Sequence, residues 1–305
     1  KPILAALERL EALYALQPTE PGEVSFGMQR FTIPLVDIDA FRDAVLNAFA
    51  HREFRALGPV LINWASSSLE VTNPGGFVSG ITVKSLLSAP PSPRNPALVD
   101  VLKRLGLVER NGRGVDRIYE GQVRFGRPLP DYSRSTASSV HLVLDHGTSA
   151  GNFYRGILAL ERDVLAGTRL SVLQTIVLAE LHRWGARRLA ELAETLQVPE
   201  DRALALLESM RTAKLVAPYG RVTMQRYRLE AAIESLFAGE GPAEADNERE
   251  ILALVATAGA VTRSDVGKLL KVDGRRASYL LWQMVERSLL IQHGSGRGVH
   301  YKRPE

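Results

Sequence analysis

Residues 187–216 read RRLAELAETLQVPEDRALALLESMRTAKLV. In the first ten, Leu189, Leu192, Ala193 and Leu196 recur at the three- and four-residue spacing that gathers apolar side chains on one helix face. The turn QVPE follows, and its Pro199 suits the start of a new helix, where a fixed φ helps and a missing N–H costs nothing. Beyond it Leu204, Leu207 and Met210 form a second inner stripe. With the amphipathic stretch Leu173 to Trp184 in front, this reads as three helices, the last two joined by a tight turn.

The pattern occurs twice at an offset of 74 residues, which pairs Val198 with Val272, Leu196 with Leu270, Ala203 with Ala277, Leu207 with Leu281 and Met210 with Met284. Repetition at packing positions is the mark of one small fold used twice. In both copies the third helix runs into an apolar pair, Leu215-Val216 or Leu289-Leu290, then a polar turn and alternating residues, which is strand, turn, strand. Helices followed by a hairpin resemble a winged helix-turn-helix, whose third helix presents its N-terminal residues to the major groove. In the second copy those residues are Arg275, Arg276 and Ser278, with Tyr279 nearby, and Arg297, His300 and Lys302 are placed on the wing. Arginine forks onto guanine or binds phosphate, so these are the candidate DNA contacts. The first copy offers Glu200, Asp201 and Arg202 instead; carboxylates repel phosphate, so it is the poorer DNA reader and is equally open to a protein-docking role.

Before residue 150 the pattern changes. Helical periodicity over 3–15 and 39–53 alternates with strand-like PVLINWA, SLEVTN and HLVLD. In DIDAFRDAVLNAFAHREF, Phe41, Val45, Ala48 and Phe49 face a core, while Asp43, Asn47 and His51 line up every fourth residue beside them. A carboxylate and an amide one turn apart can orient water and ligate magnesium, although the same spacing also describes the wet side of a helix.

Several separated motifs here resemble the Bergerat-type ATPase domain (gyrase, heat-shock-protein-90 and histidine-kinase type) of transcriptional regulators related to RecG. RDAVLNAFAHREF at 42–54 is similar to that family's Arg-Glu-Ala-Leu-x-Asn-Ala-x-x-His-Arg-Asp-Tyr, and VTNPGGF at 71–77 to its Ile-x-Asn-Pro-Gly-Gly. SPRNPALVDVLKRLGLVERNGRGVDRI resembles its Ser-x-x-Arg-Asn-Pro stretch and closing glycine box. The resemblance implies a nucleotide pocket in which Asn47 holds Mg, Asp43 takes the catalytic-base position, Asn73 and Gly75 face adenine and Gly112 and Gly114 approach the phosphates. His51, Gly76, Arg94 and Asn95 fall in the same motifs; read singly, NPGG is also a tight turn, and Arg94 with Asn95 a tie between a loop and the sheet. The broad Bergerat pattern has Glu at position 43 and Asp at position 73, so ATP binding with weak turnover is the expectation. An upstream domain of the Schlafen or AlbA type is also implied.

Composition bounds the rest. The chain has 305 residues, no cysteine and a formal charge of +4, which excludes disulfides, thiolate zinc sites and cysteine nucleophiles and fits a cytoplasmic protein. The excess charge concentrates at the C-terminus, where residues 246–305 carry ten Lys/Arg against seven Asp/Glu. Opening on Lys1 without an apolar leader, the sequence reads as part of a longer protein. An α+β protein follows: a helical link at 1–30, a Bergerat-type α/β sandwich at 31–147, and winged helices at 148–240 and 241–305. The expected function is a DNA-binding transcriptional regulator with an ATP-binding sensor or scaffold domain, using ATP and Mg, with double-stranded DNA and further copies of the chain as partners and no membrane. The alternatives are a DNA-dependent ATPase of repair or defence, and a scaffold with a vestigial pocket.

Overall fold

The computed structural model describes residues 3–19, 24–26, 28–108, 113–147, 151–220, 225–237, 242–270, 272, 274–286, 289–294 and 299–304. Gly112 and Arg297 lie outside these residues, as do the side chains of Arg275 and Arg276. Among the described residues no helix is long and apolar enough to cross a membrane.

The first helix, α1 (Ile3–Tyr14), is docked rather than a free link. Leu7, Leu10 and Tyr14 pack against the main core, the Tyr14 ring lies 5.0 Å from Phe41, and its hydroxyl donates to the Val36 carbonyl at 2.6 Å. A short hairpin, β1 (Val24–Phe26) and β2 (Gln29–Phe31), leads to α2 (Ile38–His51). Asp37 caps α2 by accepting from the amides of Asp39 and Ala40, satisfying donors that a helix start leaves unpaired.

Three antiparallel strands form the sheet under α2: β3 (Leu61–Trp64), β4 (Ser68–Pro74) and β5 (Ser139–Asp145), in that order. Alternation along β4 buries Leu69, Val71 and Asn73 on one face, and the first two meet Leu144 and Leu142 of β5. Asn73 thus ends an otherwise apolar row. After β4 come α3 (Pro96–Arg104) and α4 (Gly114–Val123). α4 lies close against α2 because Gly121 has no side chain: a Cβ there would come within 2.6 Å of the Ala40 Cβ.

Next follow α5 (Gly151–Ala159), α6 (Val172–Trp184), the two-residue β6 (Arg187–Arg188), α7 (Leu189–Leu196), α8 (Glu200–Thr212), β7 (Val216–Tyr219), β8 (Arg226–Leu229) and α9 (Ala231–Phe237). The strands form a sheet in the order β6-β8-β7. Then α10 (Pro242–Ala258), α11 (Arg263–Leu270), α12 (Gly274–Glu286), β9 (Ile291–His293) and β10 (His300–Lys302) repeat the series. The offset of 74 holds in three dimensions: α7 maps onto α11 and α8 onto α12 end to end, Gly185 and Gly259 both adopt positive φ after their helices, and Val261, bridged to Tyr301, stands where β6 stands.

Two findings depart from the sequence reading. Leu204, placed on the inner stripe of α8, is 39% exposed; Ala203, Leu207 and Met210 fill that face. And buried residues from Val36 to Phe237 form one contiguous cluster, so the seam drawn at 147/148 separates elements but not cores. α4 packs on α6, and Arg183 donates to the Gly126 carbonyl at 2.7 Å across it. The last five elements hold a core of their own, from Ile251 to Tyr301.

Candidate nucleotide site and candidate nucleic-acid surface

A cavity of about 350 Å³ opens between α2, the inner face of β4 and β5, the segment 76–93, and the start of α4. Helical spacing brings Asp43, Asn47 and His51 of α2 to it together, and strand alternation adds Asn73. Gly76 and Gly114 complete the set.

Asp43 is 6% exposed, and burial pushes its carboxyl up to about 6 despite the nearby guanidinium groups of Arg117 and Arg42. Its Oδ2 faces Arg117 Nη1 at 3.6 Å, an ion pair too long for a hydrogen bond. Burial, reinforced by the charge of Arg94, lowers the His51 pKa, so its imidazole is neutral at pH 7. Asn47 stands over Gly114, where a Cβ would sit 3.2 Å from its amide oxygen and 3.3 Å from its amide nitrogen; glycine leaves room for that amide. Asn73 is 4% exposed and donates through Nδ2 to the Pro74 carbonyl at 3.3 Å, which leaves its Oδ1 as the acceptor of the cavity floor.

Three residues expected in the pocket do other work. Gly75 takes φ +98° and does not line the cavity; its open α-carbon lets the chain turn against Glu53, whose Cβ would lie 2.8 Å from a side chain there. Arg94 bonds the carbonyls of His51 (3.1 Å) and Gly76 (2.8 Å) and pairs with Glu53 at 3.3 Å. Asn95 donates to the carbonyls of Ala50 (2.9 Å) and Arg52 (2.8 Å). Both side chains fasten the end of α2 to the loop before α3, satisfying carbonyls the helix leaves open. Among the pocket residues that sequence reasoning missed is Arg117. It lies three residues after Gly114, so one turn of α4 turns it to the same cavity, a signal readable only once α4 is known to start at Gly114.

On the second repeat, Arg275 and Arg276 belong to the first turn of α12. Ser278 is half-buried and its hydroxyl donates back to the Gly274 carbonyl at 2.9 Å. Tyr279, expected beside the DNA contacts, is instead 5% exposed: its ring packs on Gly185 and its hydroxyl donates to Glu234 Oε1 at 2.8 Å. It joins the two repeats and is withdrawn from any groove. His300 stacks on His293 across the β9–β10 hairpin with centroids 5.6 Å apart, and Lys302 is exposed at its end.

Residues 58–144 match the family model described as "Putative ATP-dependent DNA helicase recG C-terminal". That span contains Asn73, Gly76, Gly114 and Arg117 and begins after α2. The chain is also similar to the crystal structure of the DIP2311 protein from Corynebacterium diphtheriae, with a TM-score of 0.64 at 27% identity. The likeness covers 77% of this chain and 48% of that one, so this chain spans about half the length of its structural relative. No curated protein matches it. The matched segment gives the chain an ATPase-like domain of the RecG C-terminal type.

Proposed function

We propose that this chain is a nucleotide-responsive DNA-binding regulator: the cavity binds ATP with Mg, and the repeated three-helix modules are winged helices, the second of which contacts double-stranded DNA. The observation that supports the reading best is the convergence of Asp43, Asn47, His51, Asn73 and Gly114 on one cavity. The donor set suits a metal carried in by a nucleotide. Among the described residues no group of three or more His, Asp or Glu could cage an ion, whereas the Asn47 amide oxygen would add one hard ligand to those that phosphates and water supply. Magnesium would offset phosphate charge there. Asn73 would accept a hydrogen bond from a base amino group, and the neutral His51 and the amides at the start of α4 would face the phosphates.

Isothermal titration of Mg-ATP into the purified chain and into Asn47→Ala tests this. Saturable binding by the parent, weakened at least tenfold in the variant, supports the site; no heat from the parent refutes it.

A second reading, a DNA-dependent ATPase, is favoured by one observation. The Asp43 carboxyl at about 6 is tuned towards the range of a general base. The charge of Arg117, 3.6 Å away, opposes that role by lowering the carboxyl's affinity for a proton. ATP hydrolysis that duplex DNA stimulates and Asp43→Ala abolishes would establish the enzyme.

A further inference from the structure

The segment 77–93 forms one wall of the cavity through Ile81, Leu86 and Leu87, yet it has little structure of its own: a single 3-10 turn at Val83–Ser85, then three prolines at 90, 91 and 93. Most of its hydrogen bonds are internal, such as Thr82 with Ser85 and the Ala89 amide to the Ser85 carbonyl. Apart from the apolar packing of Phe77, Leu86 and Leu87 on the core, two described polar contacts hold it from outside, and both come from the first three-helix module. Lys84 Nζ meets Glu194 at 3.0 Å, a pair so exposed that it contributes little. The second is Gln197. Its Oε1 accepts from the Leu87 amide at 3.0 Å, while its Nε2 donates to the Tyr119 hydroxyl at 3.0 Å.

Tyr119 is 2% exposed on α4, the helix whose start borders the cavity at Gly114 and which carries Arg117. One amide therefore ties the loose wall to the firm one. Gln197 does this from the turn between α7 and α8 while holding a left-handed backbone, φ +57°, at the position where a helix end ordinarily takes Gly or Asn. Local backbone cost is retained where the side chain is needed.

We infer that the α7–α8 turn is a built-in wall support of the cavity, with Gln197 as the positioning residue that joins the 82–93 segment to α4, so that this segment cannot open without releasing the first module. The identity of the cavity's ligand rests on the nucleotide reading above; the support does not. This role requires no DNA, in keeping with the exposed Glu200 and Asp201 at the start of α8.

The test is amide hydrogen exchange on the full chain without nucleotide, for the parent, Gln197→Ala and Gln197→Gly. The glycine variant removes the amide while easing the left-handed backbone, so the module stays folded. Exchange at Leu87 and its neighbours should rise at least tenfold in both variants, with the amides of Leu207 and Met210 unchanged. A Leu87 amide equally protected in Gln197→Gly would overturn the inference. Tyr119→Phe, which cuts one of the two anchors, should give a smaller rise at Leu87. In a parallel arm, a fluorescent ATP analogue should leave Gln197→Gly several-fold faster than the parent. Failure of the parent to bind that analogue counts against the nucleotide reading, while the nucleotide-free exchange still decides the role of Gln197.

Discussion

Asp43 carries a cost that its neighbours only partly offset. Its ordinary value is 3.8 and burial takes it to about 6, so the folded chain holds this proton more tightly than the unfolded one. The sign follows: the site is easiest to fold below pH 3.8 and loses stability as pH rises through 6, because the ionised carboxylate is then buried. Asp43→Asn should therefore stabilise the chain by on the order of 1–2 kcal/mol at pH 7.5 and by almost nothing at pH 4, measured as urea midpoints at the two pH values. An equal shift at both would contradict it. The three α2 residues were legible in the sequence because helical spacing alone puts positions 43, 47 and 51 in line. Arg94 and Asn95 were not, since a motif says which side chains are polar but not whether backbone carbonyls have already claimed them.

At the scale of elements, the repeat was readable because packing positions recur at a fixed offset. The true inner face of α8 was less so, for Leu204 and Leu207 lie on neighbouring helical positions and only the partner surface decides between them. Leu207→Ala should cost about 2–5 kcal/mol in chemical unfolding, whereas Leu204→Ala, on a face 39% exposed, should cost under about 1 kcal/mol. Tyr279 was misread for a related reason: a side chain near the start of a helix looks available until the first repeat is seen to lie against it. Tyr279→Phe keeps the ring on Gly185 and removes the bond to Glu234, a loss of about 0.5–1.5 kcal/mol with DNA affinity unchanged; a marked fall in affinity would restore Tyr279 to the DNA surface. On the DNA-binding reading, changing Arg275 and Arg276, in the first turn of α12, to Ala should weaken binding to random duplex and flatten its salt dependence in a gel-shift titration.

Across the whole molecule, the ATPase-like part and the first module share one core, while the second module has its own and touches the first through Tyr279 and through Trp282, whose ring stands 6.5 Å from Tyr219. The shared core was hidden from the sequence, where each segment shows its own periodicity and nothing records which apolar faces meet. On the nucleotide-responsive reading proposed above, the first module would stand between the cavity and the C-terminal repeat, and a nucleotide that shifted the 82–93 segment would bias how the second module is held. The most direct test of this account is the affinity of the chain for a fluorescently labelled duplex, measured by anisotropy at fixed salt with and without saturating Mg-ATP. Coupling between the sites predicts a change of at least about fivefold in Kd. An affinity identical in both conditions, from a chain that binds both ligands, would contradict it.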